Sequence, residues 1–371
     1  SSDCKDKTGL DCRNYGALDG IADAKELFSE YMGVSPDEII VVGSSSLTFM
    51  YDCIARAMLK GVSNSDKPWC KYEEIKFICP VPGYDRHFSI CEFLGIKMIS
   101  VGMDENGPDM DTVEKLVSED DTIKGMWCVP KYSNPTGITY SDEVIKRIAS
   151  LKPAAKDFRV FCDNAYAAHH VYKDTSLLNI LEEFKKAGNP DMIYLFGSTS
   201  KITFPGAGVA FFVASKDNVK FTVEQISMQA IGWDKMNMLR HVRFFKDLDG
   251  IKEIMNKHAE LLKVKFDVVL NYFESELSDS KSGKWIKPDG GYFITYIAEK
   301  GCAKKIVSLC KDAGVVLTGA GAMHPYGKDP DDSYIRIAPT FPDVDELEEA
   351  MKIFCVSAKL ASAEKCLELK V

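Results

Sequence analysis

Between residues 39 and 214 the chain alternates short apolar, β-branched runs with stretches whose apolar residues recur at helical spacing. The runs at 39–42, 75–79, 97–101, 125–129, 159–162, 192–196 and 209–214 read as strands; 47–59, 88–94, 112–117 and 142–151 read as helices, after a first helix near 21–33. Alternation of this kind predicts an α/β domain with a mostly parallel sheet covered by helices on both faces. In such sheets ligands bind beyond the carboxyl ends of the strands. The unusual residues of this chain share that address, in the turns 43–46, 82–84, 134–137, 163–166 and 198–201.

Length and composition narrow the possibilities. A chain of 371 residues exceeds one simple core and fits two domains. Downstream, helical patterns at 218–248 and 251–277 precede strand patterns at 292–297, 315–317 and 334–338, with helices at 303–313 and from 344 onward. This mixture predicts a smaller α+β domain. The net charge of −9 argues against a nucleic-acid surface, and there is no compact basic stripe. Twelve cysteines are scattered without a CxxC pair, and Cys53, Cys79, Cys91, Cys128 and Cys162 lie in apolar runs where a thiol acts as a small hydrophobe. Six histidines do not pair with them at ligand spacing, so no metal site is expected. No signal peptide or membrane-length apolar run is visible, so the expectation is no membrane partner and a reducing, cytoplasmic setting.

The apolar run 192–196 leads into Gly197-Ser198-Thr199-Ser200-Lys201. A lysine at the end of a buried strand is costly unless used, and a desolvated amine can form a Schiff base with a carbonyl. A surface lysine after a turn would read the same in isolation. Upstream, strand 39–42 runs into Gly43-Ser44-Ser45-Ser46 and then a helix, which can aim free N–H groups and hydroxyls at an anion or can be a plain serine N-cap. Asp163 ends the strand Val-Phe-Cys, Tyr166 follows three residues later, and Asn134 precedes a Pro-Thr-Gly turn. One cofactor would explain the set. A pyridine ring with its nitrogen on Asp163 would act as an electron sink, with Tyr166 and Asn134 on its hydroxyl and Tyr84 on its face. Lys201 would hold its aldehyde, and Ser44, Ser45, Ser46, Ser198 and Ser200 its phosphate.

This constellation resembles the fold type I, class I aminotransferases that use pyridoxal 5′-phosphate (PLP). Asn134-Pro-Thr-Gly, Asp163-x-x-Tyr166 and Ser198-x-Ser-Lys201 come in that family's order, and Tyr334-Ile-Arg336-Ile-Ala resembles its substrate-carboxylate segment. Longer strings look closer to one branch, the subgroup Ic aspartate aminotransferases: Arg13-Asn-Tyr-Gly, Cys79-Pro-Val-Pro-Gly-Tyr-Asp-Arg-His87, Pro130-Lys-Tyr-Ser-Asn-Pro-Thr-Gly137, Ser198-Thr-Ser-Lys-Ile-Thr-Phe-Pro-Gly-Ala-Gly208 and Arg336-Ile-Ala-Pro-Thr-Phe341.

The resemblance implies ping-pong transfer of an amino group from an amino acid, aspartate first, to 2-oxoglutarate. Lys201 would move the proton, Asp163 keep the ring electron-poor, and Arg336 grip the α-carboxylate. It implies a homodimer in which Tyr15 reaches the partner's cofactor phosphate. Residues 1–37 would belong to the small domain and dimer arm, 38–245 to the large PLP-binding domain and 246–371 to the small domain. Two departures stand out: 205–209 lacks the arginine that neutralises the phosphate in many relatives, and the chain starts close to Tyr15, as a fragment or processed form would. A second carboxylate would need another cation, and Arg13, Arg86, Lys131, Arg240 and Arg243 are the candidates. The same cofactor also serves lyases and decarboxylases. A non-catalytic effector-binding module of the MocR type is a more distant alternative, since it needs a DNA-binding domain in front.

Overall fold

A computed structural model describes residues 2–368. Eight strands form the larger sheet: β1 (Ile39–Val42), β2 (Lys76–Val81), β3 (Lys97–Asp104), β4 (Gly107–Pro108), β5 (Ile123–Cys128), β6 (Arg159–Asp163), β7 (Ile193–Ser198) and β8 (Ala210–Val213). Their order is β1-β8-β7-β6-β5-β2-β3-β4, parallel from β7 through β3, with β8 antiparallel to both its neighbours. The strands read as continuous apolar runs because both faces are covered. Ile78, Met126, Val160, Leu195 and Phe211 point into one core, while their neighbours Phe77, Trp127, Phe161, Phe196 and Phe212 point into the other.

Helix α1 (Ala22–Met32) ends at Gly33, whose φ of 67° suits glycine, and buries Leu27 and Phe28 on the first face. The Phe28 and Phe211 rings stack at 4.9 Å. Residues 12–32 therefore join the large sheet's core, which corrects the assignment of 1–37 to the smaller domain: α1's apolar stripe matches the sheet face beside β1, and the smaller sheet has its own cover. Helix α2 (Ser46–Lys60) lays Phe49, Met50 and Ile54 on the opposite face.

A second sheet of β9 (Gly283–Ile286), β10 (Ile294–Ala298) and β11 (Tyr334–Ile337) is antiparallel throughout. It packs with the long helices Leu248–Leu277 and Val344–Glu368 in a third core. Helix Leu248–Leu277 spans the two units, with Ile251 and Met255 in the large core and Phe266, Val269 and Phe273 in the small one. Two expectations need correction. Residues 315–317 form no strand: Val316 is 84% exposed, and the third place in the sheet goes to β9, whose short Gly-Lys-Trp-Ile sequence carries little strand signal. The helical pattern over 218–248 breaks at 227–234, where Trp233 donates its indole N–H to the carbonyl of Leu18. Among the described residues no helix is long and apolar enough to cross a membrane.

Candidate active site

Parallel pairing of β6 with β7 sets Asp163 opposite Phe196, so the carboxylate and the Ser198–Lys201 turn emerge from the same edge of the sheet. Asp163 is buried. One carboxylate oxygen, Oδ2, accepts from His87 Nε2 at 3.2 Å. His87 lies in helix α3 (Asp85–Phe93), and its ring rests flat on Trp127, 4.1 Å between centroids and 5° between planes. The other oxygen, Oδ1, is buried with no hydrogen-bond partner. An orphaned carboxylate oxygen costs roughly 1–3 kcal/mol or more. A protonated ring nitrogen would remove that cost, so the residues present fit a pyridine cofactor.

Lys201 follows β7, its Nζ 4.9 Å from the centre of the Tyr166 ring. Loss of water around the ammonium lowers its pKa, while the negative charge of Asp163 acts the other way. Its backbone is held from the far side, where the Lys201 carbonyl accepts from Tyr292 Oη at 2.8 Å and from His169 Nε2 at 3.4 Å. A carbonyl only accepts, so His169 carries its proton on Nε2. Burial drives the Tyr166 phenol well above its ordinary pKa, and Tyr84 is pushed up to about 12 by burial with a smaller contribution from Asp163. Tyr84 sits edge-on to His87 at 4.9 Å, beside the same carboxylate.

The smaller sheet closes the site from above. Thr295, paired with Arg336 across β10 and β11, donates to the carbonyl of Pro135 at 2.8 Å. The turn 134–137 can take this contact because Gly137 has φ +73° and no side chain; a Cβ there would lie 2.4 Å from that of Pro288. Arg336 is thereby brought to Asn134, whose Oδ1 accepts from Nη1 at 3.0 Å. Nη1 also donates to Asp85 Oδ1 at 3.2 Å and Nη2 to Thr318 Oγ1 at 3.2 Å. Nε has no partner, and the guanidinium lies 4.8 Å over the Phe293 ring.

At the opposite end the serines converge. Ser198 Oγ donates to Ser200 Oγ at 3.1 Å, and Ser200 Oγ to the carbonyl of Ser44 at 3.2 Å. Ser45 occupies the N-cap of α2 without a side-chain capping bond, which leaves first-turn N–H groups open to an anion. The backbone of this turn approaches closely: a Cβ at Gly208 would lie 3.0 Å from the Ser44 carbonyl oxygen and 3.2 Å from Ser200 Cα. Arg240 and Arg243 line a cleft of about 930 Å³ together with Ser44. Tyr15 is 79% exposed, on a loop tethered where Gly16 N donates to the Ile231 carbonyl and Lys235 Nζ donates to the Gly16 carbonyl.

Apart from the exposed Tyr15, the sequence-level site residues fall at three places: Asp163, Tyr166, Tyr84 and Lys201 at the buried centre; Asn134 and Arg336 where the small sheet meets the turn 134–137; Ser44, Ser45, Ser46, Ser198 and Ser200 at the open end. Of the five candidate cations, Arg13 is paired with Asp11 and Lys131 with Asp174, Arg240 is anchored to Ala207 and Asn237, and Arg86 and Arg243 are exposed. Sequence reasoning missed the supporting residues His87, Asp85, Thr318, His169 and Tyr292. His87 and Asp85 fall within the recognised 79–87 string, but no local pattern shows that they face Asp163 and Arg336.

Comparison with known proteins agrees with this geometry. The family model described as aspartate amino-transferase matches residues 1–370. An aspartate aminotransferase of Corynebacterium glutamicum is 45% identical over 363 residues, covering 98% of this chain and 84% of the relative. The crystal structure of an aspartate transaminase from that organism superposes with a TM-score of 0.95 at 44% identity, over 97% of this chain and 85% of the other. The α-aminoadipate aminotransferase LysN of Thermus thermophilus, complexed with N-(5′-phosphopyridoxyl)-L-leucine, shares the fold with a TM-score of 0.79 at 21% identity, over 96% and 86% of the two chains. The chain belongs to the aspartate aminotransferase family and is a fold type I, PLP-dependent aminotransferase.

Proposed function

We propose that this aminotransferase moves the amino group of aspartate to 2-oxoglutarate by a ping-pong route, as a homodimer with shared active sites. The observation that carries the site assignment is the unpartnered, buried Oδ1 of Asp163 at the same sheet edge as the desolvated Lys201 amine. PLP bound there supplies an electron sink for the charge left when the substrate Cα–H bond breaks. The chain's own residues do the rest. Asp163, oriented by His87, holds a proton on the ring nitrogen. Lys201 Nζ, with its pKa lowered, takes the substrate Cα proton and returns it one position along. Arg336 fixes the α-carboxylate through a fork that lysine cannot imitate. Tyr166 and Asn134 would hydrogen-bond the ring hydroxyl, and the serines with the open α2 terminus would hold the phosphate. The name of the Corynebacterium relative supports aspartate as donor. The projecting Tyr15 supports a site completed across a dimer.

The test is an absorption spectrum of the purified protein with PLP, before and after borohydride and with added aspartate. We expect a visible band that shifts with aspartate and a reduced adduct on Lys201, with stoichiometric keto acid and neither ammonia nor carbon dioxide. Lys201→Ala should abolish the adduct and lower turnover by about 10²- to 10⁴-fold. An unchanged band in that variant would remove Lys201 from its role.

A further inference from the structure

The Arg336 fork is already engaged by a carboxylate of the chain itself. Its Nη1 donates to Asp85 Oδ1 as well as to Asn134, and its Nη2 donates to Thr318, so both N–H groups of Nη1 are committed and one of Nη2. A guanidinium receives a carboxylate best through two parallel N–H groups. A carboxylate taken end-on through Nη1 and Nη2 must displace a partner of Nη1, and Asp85 is the one that carries the same charge. Asp85 is also the most readily released. Its side chain is 30% exposed against 12% for Arg336, so it can turn to water without stranding a charge. It stands in the first turn of α3, where the helix N-terminus favours its negative charge when it is free.

We propose that Asp85 is an internal competitor for Arg336, an affinity-setting residue that occupies the fork in the empty site and yields it to the carboxylate of the amino acid or 2-oxo acid. This rests on reading Arg336 as the substrate-carboxylate residue. Two consequences follow. The fraction of molecules in which Arg336 is held by Asp85 lowers the apparent affinity for every carboxylate by that fraction, whatever its side chain. When a product departs, Asp85 returns to the fork, so the guanidinium is never left partly buried without a counter-charge.

The experiment is calorimetric titration of the PLP-loaded enzyme with two non-reacting ligands, propionate and succinate. Wild type, Asp85→Asn, Asp85→Ser and Arg336→Gln are compared. Tightening of both ligands by about 3- to 10-fold in a folded Asp85 variant is the expected result, with KM for donor and acceptor falling by the same factor. A merely structural role for Asp85 gives weaker binding on removal, never tighter, and the serine variant preserves a helix-start residue should the asparagine form fold poorly. Unchanged or weaker binding in both Asp85 variants, with Arg336→Gln still losing its ligand, overturns the competitor role and leaves the Arg336 assignment standing. Wild-type affinity in Arg336→Gln overturns the assignment and the inference together.

Discussion

The two ends of the cofactor site are built on opposite plans. At the ring end the chain encloses the chemistry by itself: Asp163 is 5% exposed, His87 1% and Tyr166 3%, and Trp127, Tyr292 and Phe293 close around them. At the phosphate end the binding groups come from two turns, 43–46 and 198–200, that lie beside an open cleft with Arg240 and Arg243 on its wall. The contrast follows from the chemistry each end performs. A buried carboxylate acts strongly on a ring nitrogen because little water competes, whereas a phosphate is a fixed anion that N–H groups and hydroxyls can hold at a wet surface. On the proposed reading the ring end would be complete within one chain, and the phosphate end is where a second chain would contribute.

The largest effect is expected at the enclosed end. Asp163→Asn keeps the shape but removes the charge that holds the ring nitrogen protonated, and turnover should fall about 10²- to 10³-fold. His87→Phe, which preserves stacking on Trp127 but withdraws the donor to Oδ2, should cost about 10-fold. Steady-state rates check both, and the losses should be the same at every protein concentration, because both residues serve the site of their own chain. A concentration-dependent loss would break the comparison.

The same contrast governs what the sequence revealed. Strand-end residues were legible: a parallel sheet puts its ligands at one edge, and Asp163, Lys201 and the serine turns each end an apolar run. The supporting layer was hidden. His87 meets Asp163 across 76 residues, and Tyr292 meets the Lys201 carbonyl across 91. No local pattern encodes such contacts; the first depends on how a helix packs over the large sheet, the second on how the smaller unit seats on it. The missing phosphate arginine could be read as an absence, but the closeness of Gly208 to Ser44 exists only in three dimensions. The strand pattern at 315–317 misled because apolar β-branched residues mark a strand only where a neighbour can complete the ladder, and none does here.

A second prediction sharpens the contrast through pH. His169, beneath Lys201, is fully enclosed, and burial pulls its pKa down from 6.5 to about 3. The unfolded chain binds a proton at this histidine near pH 6.5 while the folded chain does not until about pH 3. Between those values the unfolded state holds more protons, so stability falls as the pH drops, by up to about 1.4 kcal/mol per unit. Urea unfolding of the wild type at pH 7 and pH 5 should show this slope, and His169→Gln, which can still donate to the Lys201 carbonyl, should flatten it. Equal slopes in the two proteins would mean the ring end is wetter than its packing indicates.

The smallest effect tests the open end. Tyr15 stands on a loop clipped to residues 231 and 235 and is largely exposed to solvent. If it completes the phosphate site of a partner, Tyr15→Phe removes one hydrogen bond to an anion at a solvated position, worth about 1 kcal/mol. The visible effect should be release of PLP about fivefold faster than in the wild type, followed by the loss of absorbance on dilution into buffer lacking the cofactor. That difference should hold at protein concentrations where the chain is associated and vanish where it is monomeric, because a lone chain cannot use its own Tyr15. A fivefold difference that persists in the monomer would place Tyr15 in its own site. No difference at high concentration would leave the serines and the α2 terminus as the whole of the phosphate site, and the two ends would then differ in exposure but not in which chain builds them.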